Sequence, residues 1–581
     1  MRLSVLALDF DGTIAEGGRI CADVRAALAE ARERGIVVVM ATGRILEDLH
    51  EVGGDLSFAD AIVAENGAVV AFPGTPPRLL CREASSAFTR ALERDGIRFR
   101  SGRCVVEADA GDAAQILSVI RALELPLVPI FNRGRVMAVP PGVCKSAGLR
   151  EVLRAFRLSP HNTLAIGDAE NDHDLLQACE YGAAVEWGGR GLKEAADGLV
   201  PGTGPADVAP YLRRAIESMR LPDARPMRRS VTLGRTRQGR AVALAVRGRN
   251  ILVAGDPRSG KSWAAGLACE QLVLLGYSLC IIDPEGDYAS LEALPGVVPF
   301  GGIAPLPVPK EVTRALHYPD LSVVVDLSRL AHGAKAEYLR RLLPDLVRFR
   351  HETGLPHQIL VDEAHYFLDR PDASEFLDFE VGGYALVTYR VSDLHPSVLG
   401  TMDAVIMTHT SDPRELATLA ALAGRDGDAA WSRLLGDLAI DEAALVRATG
   451  TEGAEVERFK LASRLTAHVR HRAKYRDVPL PKERAFVFTL GGAPWGAPAR
   501  TLRDFVDGIS RAPADAVDAH ARRGDFSRWI ADIFGDRPLA LEVRELERRH
   551  RRGEVDDLAT ALGESVSLRY EVGSGAGGAP T

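Results

Sequence analysis

Short apolar runs alternate with helix-patterned stretches along most of this 581-residue chain, and the runs stop at residues that carry chemistry. LSVLALDF reaches Asp9, GIVVVMATG reaches Thr42 and Gly43, AIVAENGA reaches Asn66, and NTLAIGDAE reaches Asp168. The stretches DVRAALAEARERG and KSAGLREVLRAF between them have helical spacing. Such an alternation requires a parallel sheet covered by helices on both faces. Open sheets of this kind build their sites at the carboxyl ends of the strands.

The length suggests about three or four domains, each with its own core. The expected fold class is α/β. A first parallel-sheet domain spans 1–218 with an inserted α+β cap at about 75–138, and an Arg-rich linker follows at 219–230. A second α/β domain spans 231–478, a small helical domain 479–570, and a flexible tail 571–581. A 46% hydrophobic and 26% charged composition is that of a globular protein, and a net charge of −8 disfavours a chain coated for nucleic acid. Seven cysteines without a C-x-x-C pair read as reduced thiols. No apolar run approaches the roughly 18 residues of a membrane helix, and the first run breaks at Asp9, so the expected location is cytoplasmic with no membrane partner.

In the first domain, Asp9 and Asp11 stand two apart where a strand runs out, close enough to repel unless a positive group lies between them. Thr42, Gly43 and Arg44 follow a second strand, Lys145 begins a helix, and Asp168, Asn171 and Asp172 follow another strand. Hard carboxylate oxygens and a phosphate suffice for Mg²⁺. Asp9 can attack phosphorus, and Asp11 can protonate the leaving alcohol and then activate water. Thr42 and Lys145 can hold the transferring oxygens. Asp9 and Asp11 are metal-ligand candidates too, while Gly43, Arg44, Asn66 and Asn171 are further phosphate-site candidates; Asn66 reads equally as a turn residue.

DFDGT, ATGR, Lys145 and GDAEND resemble, in order, the four motifs of the haloacid dehalogenase superfamily of phosphatases. The inserted cap and the Glu65-Asn66-Gly67-Ala68 loop resemble its Cof-type branch. The resemblance implies a nucleophile at Asp9, an acid/base at Asp11 and a metal side at Asp168 and Asp172. It also implies a small phosphorylated substrate, such as a sugar phosphate.

In the second domain, NILVAGDPRSGKSW carries a G-x-x-x-x-G-K-S loop between a strand and a helix. Its residues Gly255, Asp256, Pro257, Arg258, Ser259, Gly260, Lys261 and Ser262 can cradle ATP phosphates, with Ser262 on Mg²⁺. HQILVDEAH adds Asp362 as a further Mg²⁺-side carboxylate and Glu363 as the group to activate water. With IIDPEGDY and LVTYRVSDL, these stretches resemble the HerA/FtsK group of ATPases, here with the amino-terminal β-barrel shortened to a hairpin. That resemblance implies ATP hydrolysis and, often, a homo-hexameric ring on DNA. A nucleic-acid-processing enzyme is therefore the alternative to a metabolite phosphatase.

Arg225, Arg228, Arg229, Arg235, Arg237, Arg240, Arg247 and Arg249 read as a solvated linker and hairpin, with a phosphate or nucleic-acid contact as the rival. The short linker keeps the two modules close, so its charge could answer to phosphates on either side. In the C-terminal region, His520, Arg523, Asp525, Phe526, Arg528 and Trp529 share one stretch of helix and read as core packing plus an ion pair. That module reads as an interaction or regulatory unit.

Overall fold

The computed structural model describes all residues except 133, 223–227, 303, 370–376, 426–428, 448–454, 467–479, 481–483, 535–536 and 571–581. Arg225, the 478/479 boundary and the tail lie outside the described residues.

The first unit is built on an eight-stranded sheet in the order Gly198–Val200, Tyr181–Val185, Thr163–Gly167, Val5–Asp9, Val37–Ala41, Ala61–Ala64, Val69–Ala71, Arg78–Leu79. The first six strands are parallel and the last two pairings are antiparallel. Val5, Ala7, Leu6 and Leu8 are wholly buried because helices cover both faces, which is why this strand reads as an unbroken apolar run. The inserted unit has a four-stranded antiparallel sheet, Val128–Asn132, Arg135–Val139, Val106–Asp109 and Phe99–Ser101, backed by helices Ser86–Arg94 and Ala113–Ala122. It departs from the core later than residue 75, because Arg78–Leu79 still pairs with Val69–Val70.

The second unit has an eleven-stranded sheet. Seven strands, from Ala404–Met407 through Ile251–Ala254 to Val297–Gly301, are parallel. Four antiparallel strands extend one side, and the outermost are the hairpin Ser230–Arg235 and Ala241–Ala245. The hairpin is thus continuous with the main sheet through Val456–Leu461. In the helical region Phe486, Phe488, Phe505, Phe526 and Trp529 share one core. His520 bonds Asp525 at 2.8 Å and accepts the Thr489 N–H at 2.9 Å, so packing and an ion pair account for this cluster.

The two sheets meet through the amino-terminal edges of their strands. His161, just before Thr163–Gly167, stacks on Tyr277, just before Leu279–Asp283, at 3.7 Å between ring centroids. Glu180 accepts from the Tyr277 hydroxyl at 2.9 Å and contacts His161 at 2.8 Å. His357 accepts the Ser278 N–H and faces the Asn162 amide oxygen at 3.1 Å. The carboxyl ends of the two parallel sheets therefore point in opposite directions. Two five-residue strands at about 3.3 Å per residue, plus the polar layer between, set the two ends roughly 40 Å apart.

The arginines beside this interface are committed within the chain. Arg228 contacts Asp197 and the Leu176 carbonyl, and Arg229 donates to the Cys179 carbonyl at 2.8 Å. Both cap the carboxyl end of the His173–Ala178 helix, where cations are favoured. Arg240 pairs with Glu457 at 2.7 Å, and Arg247 lies over the Tyr181 ring. The expectation that linker charge could face bound phosphate on either side is corrected: Arg228 and Arg229 lie at the edge opposite the Asp9 end.

Burial, with help from His161 and Arg350, holds the His357 imidazole well below its ordinary value. The folded protein keeps it neutral, whereas the unfolded chain takes up a proton below about pH 6.5. Its contribution to stability is therefore present above that value and lost as pH falls, at up to about 1.4 kcal/mol per pH unit. Denaturant titrations at neutral and mildly acidic pH should show His357→Gln losing less stability on acidification than the wild type. An equal loss would assign the acid sensitivity to other groups.

Candidate functional site

Asp9 closes the central strand of the first sheet, flanked by the strands that lead to Thr42 and Asp168. The Lys145 ammonium, 1% exposed, donates to Asp9 and Asp172 at 2.6 Å each. Burial works against its charge, but Asp172 and Asp9 hold it protonated, above the ordinary lysine value. Burial and the nearby Asp172 push Asp9 up to about 7, against the pull of Lys145. Asp172 accepts the backbone N–H groups of Asp168 and Ala169 at 3.0 Å. One oxygen from each of Asp9, Asp168 and Asp172 falls within 4.8 Å of the others. This hard, anionic, buried donor set fits Mg²⁺.

Two close backbone approaches bring Lys145 in. Gly67, at φ +103°, lies where a Cβ would come within 1.9 Å of the Cys144 carbonyl. A Cβ on Gly148 would meet Val63 at 2.3 Å. Asp174 accepts the Ser146 N–H at 2.8 Å and fixes the first turn of the lysine helix.

Asp11 lies beyond the strand and is held by Arg44, which donates to its two oxygens at 2.6 and 2.7 Å. Each of the two neighbouring acids thus has its own cation. Arg44, expected among the phosphate-site groups, is bound in this structure to Asp11. Thr42 is buried and its hydroxyl accepts the Arg44 N–H at 3.1 Å. Gly43, Asn66 and Asn171 gather beside it, with the Asn171 amide 3.5 Å from that of Asn66. Glu65 was not anticipated. Wholly buried, it accepts the N–H groups of Arg103, Cys104 and Val105 at 2.9, 2.8 and 3.2 Å and so ties the inserted unit to the core. Its neighbour Asn66 was visible in sequence; its partners nearly forty residues away were not.

In the second unit, residues 255–260 turn from the strand Ile251–Ala254 into the helix Lys261–Leu274. Gly255, at φ +152°, leaves no room for a Cβ beside Thr408. Pro257 and Arg258 are exposed at the tip, Ser259 bonds Thr408, and Gly260 adjoins the Ile440 carbonyl. Lys261 donates to the Asp256 carbonyl at 2.8 Å, and the Asp256 carboxylate is held by Ser411. Ser262 donates to Asp287 at 2.6 Å. Asp287 is a further site residue that the sequence reading did not single out, although it lies in the DPEGDY stretch. Asp283 in that stretch serves its own turn, accepting the N–H groups of Gly286, Asp287 and Tyr288.

Asp362 and Glu363 follow the strand Gln358–Val361. Burial, then Glu363, Asp287 and Asp283, push Asp362 well above the usual carboxylate range. His365 lies 3.5 Å from Glu363 and 3.0 Å from the Thr388 hydroxyl. Burial and then Arg390 lower it to about 4, so it is neutral at physiological pH.

Carboxylates and one buried lysine at the carboxyl edge of a Rossmann-like sheet define, in the first unit, a hydrolase centre of the aspartate type. The chain belongs to the haloacid dehalogenase-like hydrolases, whose sequence profile matches residues 6–76 and 98–204. A phosphoglycolate phosphatase of Halorubrum lacusprofundi is 31% identical over 228 residues, covering 36% of this chain and 98% of its own length. One of Methanopyrus kandleri is 27% identical over 230 residues, covering 37% and 98%. The crystal structure of Thermoplasma acidophilum 0175 aligns with 37% of this chain and 99% of its own, at 15% identity and a TM-score of 0.33. Among the described residues, no helix is long and apolar enough to cross a membrane.

Proposed function

We propose that the first unit is an Mg²⁺-dependent phosphomonoesterase acting on a small phosphorylated metabolite through an aspartyl-phosphate on Asp9. The observation that carries this reading is Lys145, buried and bridging Asp9 and Asp172 at 2.6 Å each. Asp9, Asp168 and Asp172 would hold Mg²⁺, which would neutralise phosphoryl charge and favour the ionised form of Asp9. Asp9 attacks phosphorus and the ester P–O bond breaks. Asp11 gives its proton to the departing alkoxide and later takes one from the water that releases phosphate. Arg44 occupies both Asp11 oxygens, so one of those bonds yields as the proton moves. Thr42 and Lys145 hold the transferring oxygens, with Gly43, Asn66 and Asn171 alongside. The phosphoglycolate phosphatases that resemble this chain support a small phosphorylated substrate, a sugar phosphate being the class expected from the Cof-type motifs. The test is phosphate release from sugar phosphates and from 3′- and 5′-phosphorylated oligonucleotides with Mg²⁺; no release from any ester overturns the reading.

We propose further that the second unit binds and hydrolyses ATP. Residues 255–262 would cradle the phosphates, with Ser262, Asp362 and Asp287 on the Mg²⁺ side and Glu363 activating water. Support comes from the strand–loop–helix geometry and the neutral His365 set between Thr388 and Glu363. Lys261→Ala should weaken nucleotide binding. Glu363→Gln should retain binding and lose roughly 10²–10⁴-fold in hydrolysis, the usual range for positioned proton transfer. Normal hydrolysis by Glu363→Gln would move the water-activating role to another residue. Arg228, Arg229 and Arg240 bond to carbonyls and carboxylates of this chain, so a DNA-translocating alternative rests on the HerA/FtsK resemblance alone.

A further inference from the structure

The paired strands Val5–Asp9 and Thr163–Gly167 place Asp9 and Asp168, whereas Asp11 lies beyond the strand end, in a glycine turn. Gly12, at φ +77°, donates its N–H to the Ala15 carbonyl at 2.9 Å, and the Ala15 N–H returns to the Phe10 carbonyl at 2.9 Å. The Gly12 carbonyl accepts the Trp187 indole N–H at 2.7 Å. An indole nitrogen has one proton to give and accepts nothing. Trp187 gives it to the peptide directly after Asp11.

The loop that carries Trp187 is fixed by bonds of its own. The Gly189 N–H donates to the Asp168 carbonyl at 2.7 Å, and the Gly188 N–H donates to the Val185 carbonyl at 2.9 Å. A Cβ on Gly188 would come within 2.7 Å of the Asp168 carbonyl, so the approach is close. The backbone of this loop thus rests on the Asp168 loop, and the indole carries that reference across to the Asp11 turn. Nothing packed around Asp11 does the same. Asp11, Asp168 and Trp187 border an open cleft of about 630 Å³, and the Asp11 side chain is 37% exposed. The other tether is Arg44, which occupies both carboxylate oxygens and must release one as the proton moves. The indole bond is made to the backbone and need not break at any step.

We propose that Trp187 is the positioning residue of Asp11, holding the Gly12 carbonyl so that the Asp11 carboxyl stays aimed at the departing oxygen while Arg44 lets go. This rests on the phosphatase reading above. Trp187 acts through the Asp11 turn and not on the substrate. Asp168 keeps its own backbone tether to Gly189, so the metal side of the site does not depend on the indole.

The test uses the full chain with Mg²⁺ and two esters that differ in their need for an acid. Sorbitol 6-phosphate releases an alkoxide, which must be protonated as it leaves; p-nitrophenyl phosphate releases a phenolate, which departs without a proton. The ratio kcat/KM covers the steps up to that departure and excludes the later release of phosphate from Asp9. Trp187→Phe keeps an aromatic ring and removes the N–H. It should lower kcat/KM for sorbitol 6-phosphate roughly 10-fold, part of the 10²–10⁴-fold that positioned proton transfer supplies. It should leave kcat/KM for p-nitrophenyl phosphate, and the Mg²⁺ concentration giving half-maximal rate, within about 2-fold of the wild type. An unchanged rate on sorbitol 6-phosphate would overturn the proposal. A loss of equal size on both esters, or a weakened response to Mg²⁺, would do so as well, since either marks a merely structural role. Failure of the wild type to hydrolyse either ester is a different result, and it would remove the phosphatase reading itself.

Discussion

Replacing Asp9 by asparagine is expected to lower phosphomonoesterase turnover by a factor on the order of 10⁴ or more while the protein stays folded. The amide preserves the shape of the side chain and still offers Lys145 an oxygen to bond, but it cannot form the phosphoryl ester. The fold tolerates the change because the wild-type carboxylate is already disfavoured, pushed up to about 7 by burial and by Asp172. Removing one of two acids that share a single ammonium relieves repulsion and loses attraction together, so stability should move by no more than about 1 kcal/mol. The ATP hydrolysis proposed for the second unit should be unchanged, because the two carboxyl edges face away from each other across the His161–Tyr277 layer. Phosphate release from both substrates, with a thermal melt of each protein, checks all three parts. Substantial residual phosphatase activity would sink the nucleophile assignment. A parallel loss of ATP hydrolysis would mean that the interface transmits the state of one sheet to the other.

The sequence was most legible where chemistry sits next to an apolar run. Asp9, Thr42 and Asp168 could be placed because almost wholly buried strands of five residues leave little freedom about where they end. The lysine helix was readable to its bounds, 145–156. Long-range pairings were not legible. Nothing local to ATGR says that Arg44 turns to Asp11, since the residues between them fold into a hairpin, a helix and a strand. Nothing in ENGA says that Glu65 collects three N–H groups from the inserted unit. The joining of the two sheets depends on His161, Glu180, Tyr277 and His357, each of which lies just before a strand. Each reads as an ordinary polar or aromatic residue, and only the assembled edges give the four their common role. The same blindness made the linker arginines look available to phosphate, whereas Arg228 and Arg229 end on the carbonyls of a neighbouring helix.

Removing the Lys145 ammonium should produce the largest loss of stability of any change at the first site. Lys145→Met preserves much of the volume and flexibility of the stem but leaves Asp9 and Asp172 buried with no cation between them. Breaking a buried pair by deleting one partner typically costs about 3–5 kcal/mol, because the surviving charge stays out of water without compensation. Here two carboxylates survive, 6% and 0% exposed at their side chains, so the upper part of that range is expected. Their mutual repulsion also favours protonation, so the penalty should shrink as pH falls toward the ordinary carboxylate range. Mg²⁺ offers a replacement cation to the same oxygens. Chemical denaturation of Lys145→Met without Mg²⁺ should therefore show the full deficit, and added Mg²⁺ should recover a larger share of stability than it gives the wild type. Phosphatase turnover should stay low even with the metal present, since no other described side chain bonds both Asp9 and Asp172. A variant as stable as the wild type in metal-free buffer would show that the two acids share a proton in the native protein, and that Lys145 serves the phosphoryl group alone.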